Sequence, residues 1–160
     1  MNAAVATDLE SKAPSSAQGS QYLTFLLAGE EYGVNILNVQ EIKGWMPTTQ
    51  IPNTPRHVLG VINLRGAVVP IVDLRKRFAF EHVEYGPTTV VIFVKIDGQR
   101  KTIGMVVDAV SEVYNIPETT IEPPPEMGAK LNIEFINGLA TVENKMVILI
   151  DVQKLVEANM

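Results

Sequence analysis

One fifteen-residue segment occurs twice in this chain, and the duplication restricts the folds open to it. Gly60–Leu74 reads GVINLRGAVVPIVDL and Gly138–Val152 reads GLATVENKMVILIDV. They align without a gap at a spacing of 78, pairing Gly60 with Gly138, Val69 with Val147 and Asp73 with Asp151. Arg65-Gly66 falls on Glu143-Asn144, a turn position in both copies, and Gly and Asn best tolerate positive φ. A duplicated unit fixes the architecture before any single element is assigned.

The repeat extends beyond that block. Tyr22–Leu27 reads as a strand that turns through Ala28-Gly29-Glu30-Glu31 into Tyr32–Ile36. Its echo is Val90–Val94, then an Asp97-Gly98 hairpin turn, then Thr102–Val107. Val39-Gln40-Glu41-Ile42 is echoed by Val110-Ser111-Glu112-Val113, and Ile51-Pro52 by Ile121-Glu122-Pro123. Both copies close alike, with Asp73 and Asp151 placed to cap a short helix. Each copy spans residues 21–80 or 88–156 and holds about five short β-rich runs, which predicts small barrels or a sandwich. Packed together, the two units bury more apolar surface than they would apart. Whether strands are exchanged between them is open at this stage. Pro70 points to an edge or bulge position. Residues 1–20, rich in Ala and Ser, read as a disordered tail.

Bulk chemistry excludes several functions. The net charge is −5, from 13 Lys+Arg and 18 Asp+Glu, which argues against nucleic acid or an anionic membrane as partner. There is no cysteine, hence no disulfide or thiolate chemistry. No secretory h-region and no run long enough to span a bilayer is visible, so a cytoplasmic location is expected. The two histidines, His57 and His82, stand in unrelated contexts that read as surface or turn positions, and no metal site or cofactor is expected. No nucleophile, metal-protease or phosphate-loop motif is present, which argues against an enzyme. Asp108 reads as a turn or capping group. Arg75-Lys76-Arg77 reads as a solvated basic face. Trp45 is a candidate either to anchor a loop or to present a contact surface. Glu41 and Arg65 both lie in apolar segments and are candidates for a partly buried ion pair. The second copy keeps the acid as Glu112 but replaces the arginine with Glu143, so copy one is read as carrying a specialised contact.

Several blocks in order resemble the CheW coupling proteins of bacterial chemotaxis. They are Glu-Glu-Tyr-Gly-Val (30–34), Val-Gln-Glu-Ile (39–42), Val-Ile-Asn-Leu-Arg-Gly (61–66), Val-Pro-Ile-Val-Asp-Leu-Arg (69–75) and Ile-Gly-Met-Val-Val-Asp-Ala-Val-Ser-Glu-Val (103–113). The resemblance covers residues 21–156. It implies an all-β fold of two tandem SH3-like five-stranded β-barrels over a shared hydrophobic core, with short helices including a C-terminal one. It implies a non-enzymatic adaptor linking chemoreceptor signalling tips to the regulatory domain of the histidine kinase CheA. That adaptor would work in arrays under the inner membrane, with other CheW copies as possible ring neighbours. By motif, Ile36, Val39, Glu41 and Ile42 would form one wall of a receptor groove, and Ile103, Gly104 and Met105 the other. Gly60, Arg65 and Val113 would couple receptor and kinase. The Ile121–Met127 loop would touch the kinase; Glu122 and Met127 stand there where the enteric version has Arg and Phe. Two alternatives remain: a coupling domain of this family in another pathway, such as twitching or surface sensing, and a small ligand- or oligonucleotide-binding barrel.

Overall fold

The computed structural model describes residues 19–80, 83–95, 101–124 and 133–158. The Asp97-Gly98 turn, His82, Met127 and all but the end of the N-terminal segment lie outside the described residues. Among the described residues there are ten strands. They are β1 (Ser20–Leu27), β2 (Glu30–Asn35), β3 (Val39–Gly44), β4 (Val58–Leu64), β5 (Ala67–Asp73), β6 (Val90–Lys95), β7 (Thr102–Val107), β8 (Ala109–Ile116), β9 (Ile136–Val142) and β10 (Lys145–Ile150). Two short helices, α1 (Leu74–Arg77) and α2 (Val152–Ala158), close the two copies.

The strands form two five-stranded sheets, one ordered β8-β1-β2-β10-β9 and the other β3-β6-β7-β5-β4. Each sheet mixes strands of both repeats. Replacing every strand of the first order by its repeat mate gives the second order, so the molecule has an internal pseudo-twofold relation. The two parallel ladders correspond as well. Leu149 pairs with Gly33 on β2, and Ile71 pairs with Gly104 on β7. Elsewhere the pairing is antiparallel.

Three apolar clusters follow from side-chain alternation. Ile92, Val94, Ile103, Met105 and Val107 of one sheet meet Phe25, Tyr32, Val34, Ile148 and Ile150 of the other in a shared seam, joined by Leu74, Leu155 and Val156 of the helices. The opposite faces enclose smaller clusters. Tyr22, Tyr114, Val147 and Leu149 fill one unit, and Ile71, Val91, Phe93 and Val106 fill the other. Strands buried on both faces read as continuous apolar runs rather than alternating ones. This is the pattern of Val90–Val94 and Val147–Ile150.

The repeated glycines have a packing reason. Gly60 has φ +142, and a Cβ there would stand 2.2 Å from the Thr49 carbonyl oxygen. Thr49 and Val61 exchange two backbone hydrogen bonds of 2.9 Å at this point. Gly138 sits in the same relation to Glu122, which exchanges two bonds of 2.8 Å with Leu139. Both predicted caps form: Asp73 Oδ1 accepts from Arg75 N, and Asp151 Oδ1 from Lys154 N. The backbone N–H groups of Asp73 and Asp151 donate to the carbonyls of His57 and Phe135, again 78 positions apart. Pro70 lies inside the sheet, but the β5–β7 ladder starts only at Ile71, so its missing donor costs that ladder nothing.

Gly60→Ala is expected to destabilise the fold by about 2 kcal/mol or more, because both the dihedral and the backbone clash oppose it. Gly44→Ala, where a Cβ meets open space, should stay within about 0.5 kcal/mol. Urea unfolding of the two variants checks this; equal losses would contradict it.

Candidate functional site

The β4–β5 turn places Arg65 and Gly66 at φ 52 and 87. Asn63 Oδ1 accepts from Gly66 N at 2.8 Å and fixes the turn. On β3 the register slips between Val39 and Glu41, a bulge that re-aims the following side chain. Glu41 and Arg65 then form a bidentate ion pair, with Arg65 Nη2 donating to Glu41 Oε1 at 3.0 Å and Nη1 to Oε2. Because β3 and β4 end opposite sides of the sheet order, this pair ties the two edges together and gives the unit a barrel-like closure. The Arg65 side chain is 67% exposed and that of Glu41 only 18%. The pair is partly buried from the acid side alone. The hydrogen bond from Arg65 holds the Glu41 carboxyl below its ordinary value, and the Glu41 bond raises Arg65.

The other groove residues fall on three cross-strand rows. Val39 pairs with Val94 and Val94 with Ile103; Ile42 pairs with Ile92 and Ile92 with Met105. Both rows face the seam. They run from half-exposed ends at Val39 and Ile42 to fully buried ends at Ile103 and Met105. Glu41, Phe93 and Gly104 form the third row, on the opposite face. Ile36 and Val39 pack against the seam with partial exposure. The expectation that Ile103, Gly104 and Met105 form a second open wall is therefore corrected, because β7 lies in the middle of its sheet. A Cβ at Gly104 would meet Ile71 Cδ1 at 2.6 Å and Val91 Cγ1 at 2.8 Å. These three residues support the exposed ends from below. Gly60 is buried, Val113 is 44% exposed on β8, and Glu122 is exposed beside β9. Val113 and Glu122 thus lie on the unit that does not carry the Glu41–Arg65 pair.

A second charged cluster escaped the sequence reading. Arg75, expected on a solvated face, is 2% exposed. Its Nε and Nη2 donate to the two Asp73 oxygens at 2.9 Å each, and Nη1 to Asp108 Oδ1 and the Glu84 carbonyl at 2.7 Å. Tyr85 Oη donates to Asp73 Oδ2 at 2.6 Å. Asp108 Oδ2 also accepts from Ala28 N at 2.8 Å, so it is more than a turn cap: it links α1 to the β1–β2 turn of the other sheet. Trp45 resolves as an anchor, its ring 4.6 Å from that of Tyr85. Burial alone would lift the Asp73 carboxyl, but the bonds from Arg75 and Tyr85 outweigh it and hold it low. Burial opposes the Arg75 charge, yet Asp73 and Asp108 raise its pKa. The alternating Asp73-Leu74-Arg75 was the available signal for this pairing.

A depressed Asp73 adds stability that is present above the unfolded aspartate range and lost as pH falls through the folded value. Arg75→Leu should cost about 3–5 kcal/mol at pH 7 by stranding a buried carboxylate. It should also remove most of that dependence. With the guanidinium gone, burial is opposed only by the Tyr85 hydroxyl and the backbone N–H of residue 75, so the Asp73 carboxyl moves up and the loss shrinks between pH 7 and pH 4. Urea midpoints at the two pH values measure this; a pH-independent loss would contradict it.

Comparison with known proteins gives a consistent result. A family model described as the CheW-like domain matches residues 21–160. A chemotaxis protein CheW of Klebsiella aerogenes is 45% identical over 148 residues, covering 92% of this chain and 88% of that protein. A probable chemotaxis protein CheW of Rhizobium etli is 37% identical, covering 84% and 86%. The crystal structure of a scaffolding protein from Thermoanaerobacter tengcongensis matches with a TM-score of 0.75 and 39% identity, covering 82% of this chain and 84% of that one.

Proposed function

This chain belongs to the CheW-like family, and from that membership we propose that it is a non-enzymatic adaptor coupling chemoreceptor signalling tips to the histidine kinase CheA. The observation that carries the reading is the bulged edge strand β3. It presents Ile42 at 42% exposure, with Val39 half-buried beside it, and the clamped Glu41 at one sheet margin. A receptor helical hairpin would lay its apolar face along Ile36, Val39 and Ile42, a helix-in-groove contact. Arg65 would hold Glu41 in the orientation that the contact needs. Ile103, Gly104 and Met105 would support this surface rather than touch the receptor. Gly60 fixes the approach of the Thr49 segment behind it.

Val113 and Glu122, on the other unit, would meet the kinase regulatory domain. Met127 belongs to the same proposed contact by its place in the sequence. Two partners on two units let one chain hold receptor and kinase side by side. A receptor shift then biases the kinase through differential affinity for its two states. Work at receptor arrays on the cytoplasmic side of the inner membrane, with other copies as ring neighbours, completes the proposal. Among the described residues no helix is long and apolar enough to cross a membrane, so on this reading recruitment runs through protein contacts.

The test mixes the purified chain with CheA and receptor signalling fragments and measures co-sedimentation and kinase activity. Ternary assembly with altered kinase activity is expected; neither effect would sink the reading. Glu41→Lys should weaken receptor binding by about tenfold with little change in thermal stability, since exposed pairs contribute about 0–1 kcal/mol. Adding Arg65→Glu should restore part of the loss.

A further inference from the structure

The segment between β3 and β4 folds back on itself. Asn53 has φ 65, Thr54 Oγ1 donates to the Ile51 carbonyl at 3.1 Å, and Val58 N donates to the Pro55 carbonyl at 3.0 Å. Asp73 N donates to the His57 carbonyl at 2.8 Å, which sets this segment beside the start of α1. Between the segment and α1 an open cavity of about 270 Å³ remains. Arg56 and Lys76 line it, together with the amides of Gln50 and Asn53 and the apolar side chains of Ile51 and Leu59.

The charge in this cavity has one sign. No acidic residue lines it among the described residues. Arg56 is exposed and Lys76 half-buried, and neither forms an ion pair among the described residues. Two cations sharing one concavity repel each other, and an anion between them reverses that interaction. The repeat supplies a comparison. Its spacing of 78 carries His57 onto Phe135, whose carbonyl accepts from Asp151 N as that of His57 does from Asp73 N. The same spacing carries Arg56 onto Glu134 and Lys76 onto Lys154. The second copy thus has one acid and one base where the first has two bases. The shared frame does not demand a second cation, and the chain as a whole carries net charge −5, so a general basic excess does not explain it either.

We propose that this cavity is a binding site for a small phosphate monoester. The Arg56 guanidinium offers a planar fork to two phosphate oxygens, and the Lys76 ammonium adds a compact second charge. The side-chain amides of Gln50 and Asn53 can donate to the remaining oxygens. Ile51, exposed, and Leu59, half-buried, give the organic part of the ester an apolar surface. The cavity has the volume of about nine water molecules at ~30 Å³ each, which is room for a phosphate group and a tail of a few carbon atoms. A phosphate held by both cations would bridge the β3–β4 segment to α1, beside the Asp73–His57 hydrogen bond. The site uses no residue assigned above to receptor or kinase and does not depend on the adaptor reading.

The test titrates the isotope-labelled full chain with glycerol 3-phosphate near pH 7.5, where the phosphate is mainly dianionic, at fixed ionic strength. NMR follows the backbone amides of residues 50–59 and the Arg56 Nε–H. Shifts there should saturate with a Kd of about 1 mM or below, whereas glycerol and sodium chloride at matched ionic strength should give neither the shifts nor saturation. Arg56→Glu, which restores the charge set of the second copy, should weaken binding by at least about tenfold, as should Lys76→Met. Lys145→Met, on the exposed β9–β10 hairpin, should leave binding unchanged. Arg56 is exposed, so its variant keeps the test decisive should Lys76→Met fold poorly. No saturation by about 10 mM, equal shifts with sodium chloride, or an undiminished response in Arg56→Glu would each overturn the proposal.

Discussion

Two parallel ladders, each three residue pairs long, hold this molecule together as one body. β2 against β10 and β5 against β7 are the only places within the sheets where a parallel pair joins the copies, among the described residues. Each copy keeps its own antiparallel hairpins, β1–β2 and β4–β5 in the first, β6–β7 and β9–β10 in the second. The parallel pairs, with the antiparallel β1–β8 and β3–β6 contacts, convert those hairpins into five-stranded sheets. Parallel neighbours need a crossover rather than a tight turn: from β2 to β10 the chain passes through the other sheet, whereas from β5 to β7 it passes through α1 and β6 of the same sheet. Neither repeat can complete a sheet alone. The seam that results is lined by both repeats, so the two units share one core and should unfold together.

Close approach is what these ladders demand of the sequence. Gly33 faces Leu149 and Val147 at distances where a Cβ would already be tight, and Gly104 faces Ile71, Val91 and Phe93 more closely still. The two glycines are repeat mates at the same step of the two corresponding ladders. Gly104 thus has a complete structural explanation before any partner is considered.

Local features were legible in the sequence because their causes are local. The Arg65-Gly66 and Glu143-Asn144 turns need positive φ, and the Asp73 and Asp151 caps need a carboxylate at a helix start. The repeat itself conveyed the matching halves. Strand exchange was not legible, since apolar runs reveal how many faces are buried but not which neighbour buries them. The same limit explains Ile103 and Met105. Their segment is apolar throughout, and only the central place of β7 shows that no side of it is free. Arg75 was misread for a related reason. Its neighbours Lys76 and Arg77 suggest a solvated face, whereas the groups that bury it include Asp108, 33 positions away, and Tyr85.

Two pairs of repeat mates differ in charge in physically distinct ways. At Arg65 and Glu143 the backbone is the same and the side chains are exposed, so a change of sign there costs the fold little. That position is free to set what a surface attracts. At Arg75 and Gln153 the first copy has a buried arginine with three anionic or carbonyl partners and a tyrosine. Its loss would strand Asp73, so it cannot vary without a compensating change. It also ties α1 to Asp108, and through Asp108 to the β1–β2 turn. One asymmetry therefore differentiates the outer ends of the two units, while the other fixes how those units sit against each other. Surface identity can diverge at the first because the second, together with the ladders, holds the frame on which both ends are displayed.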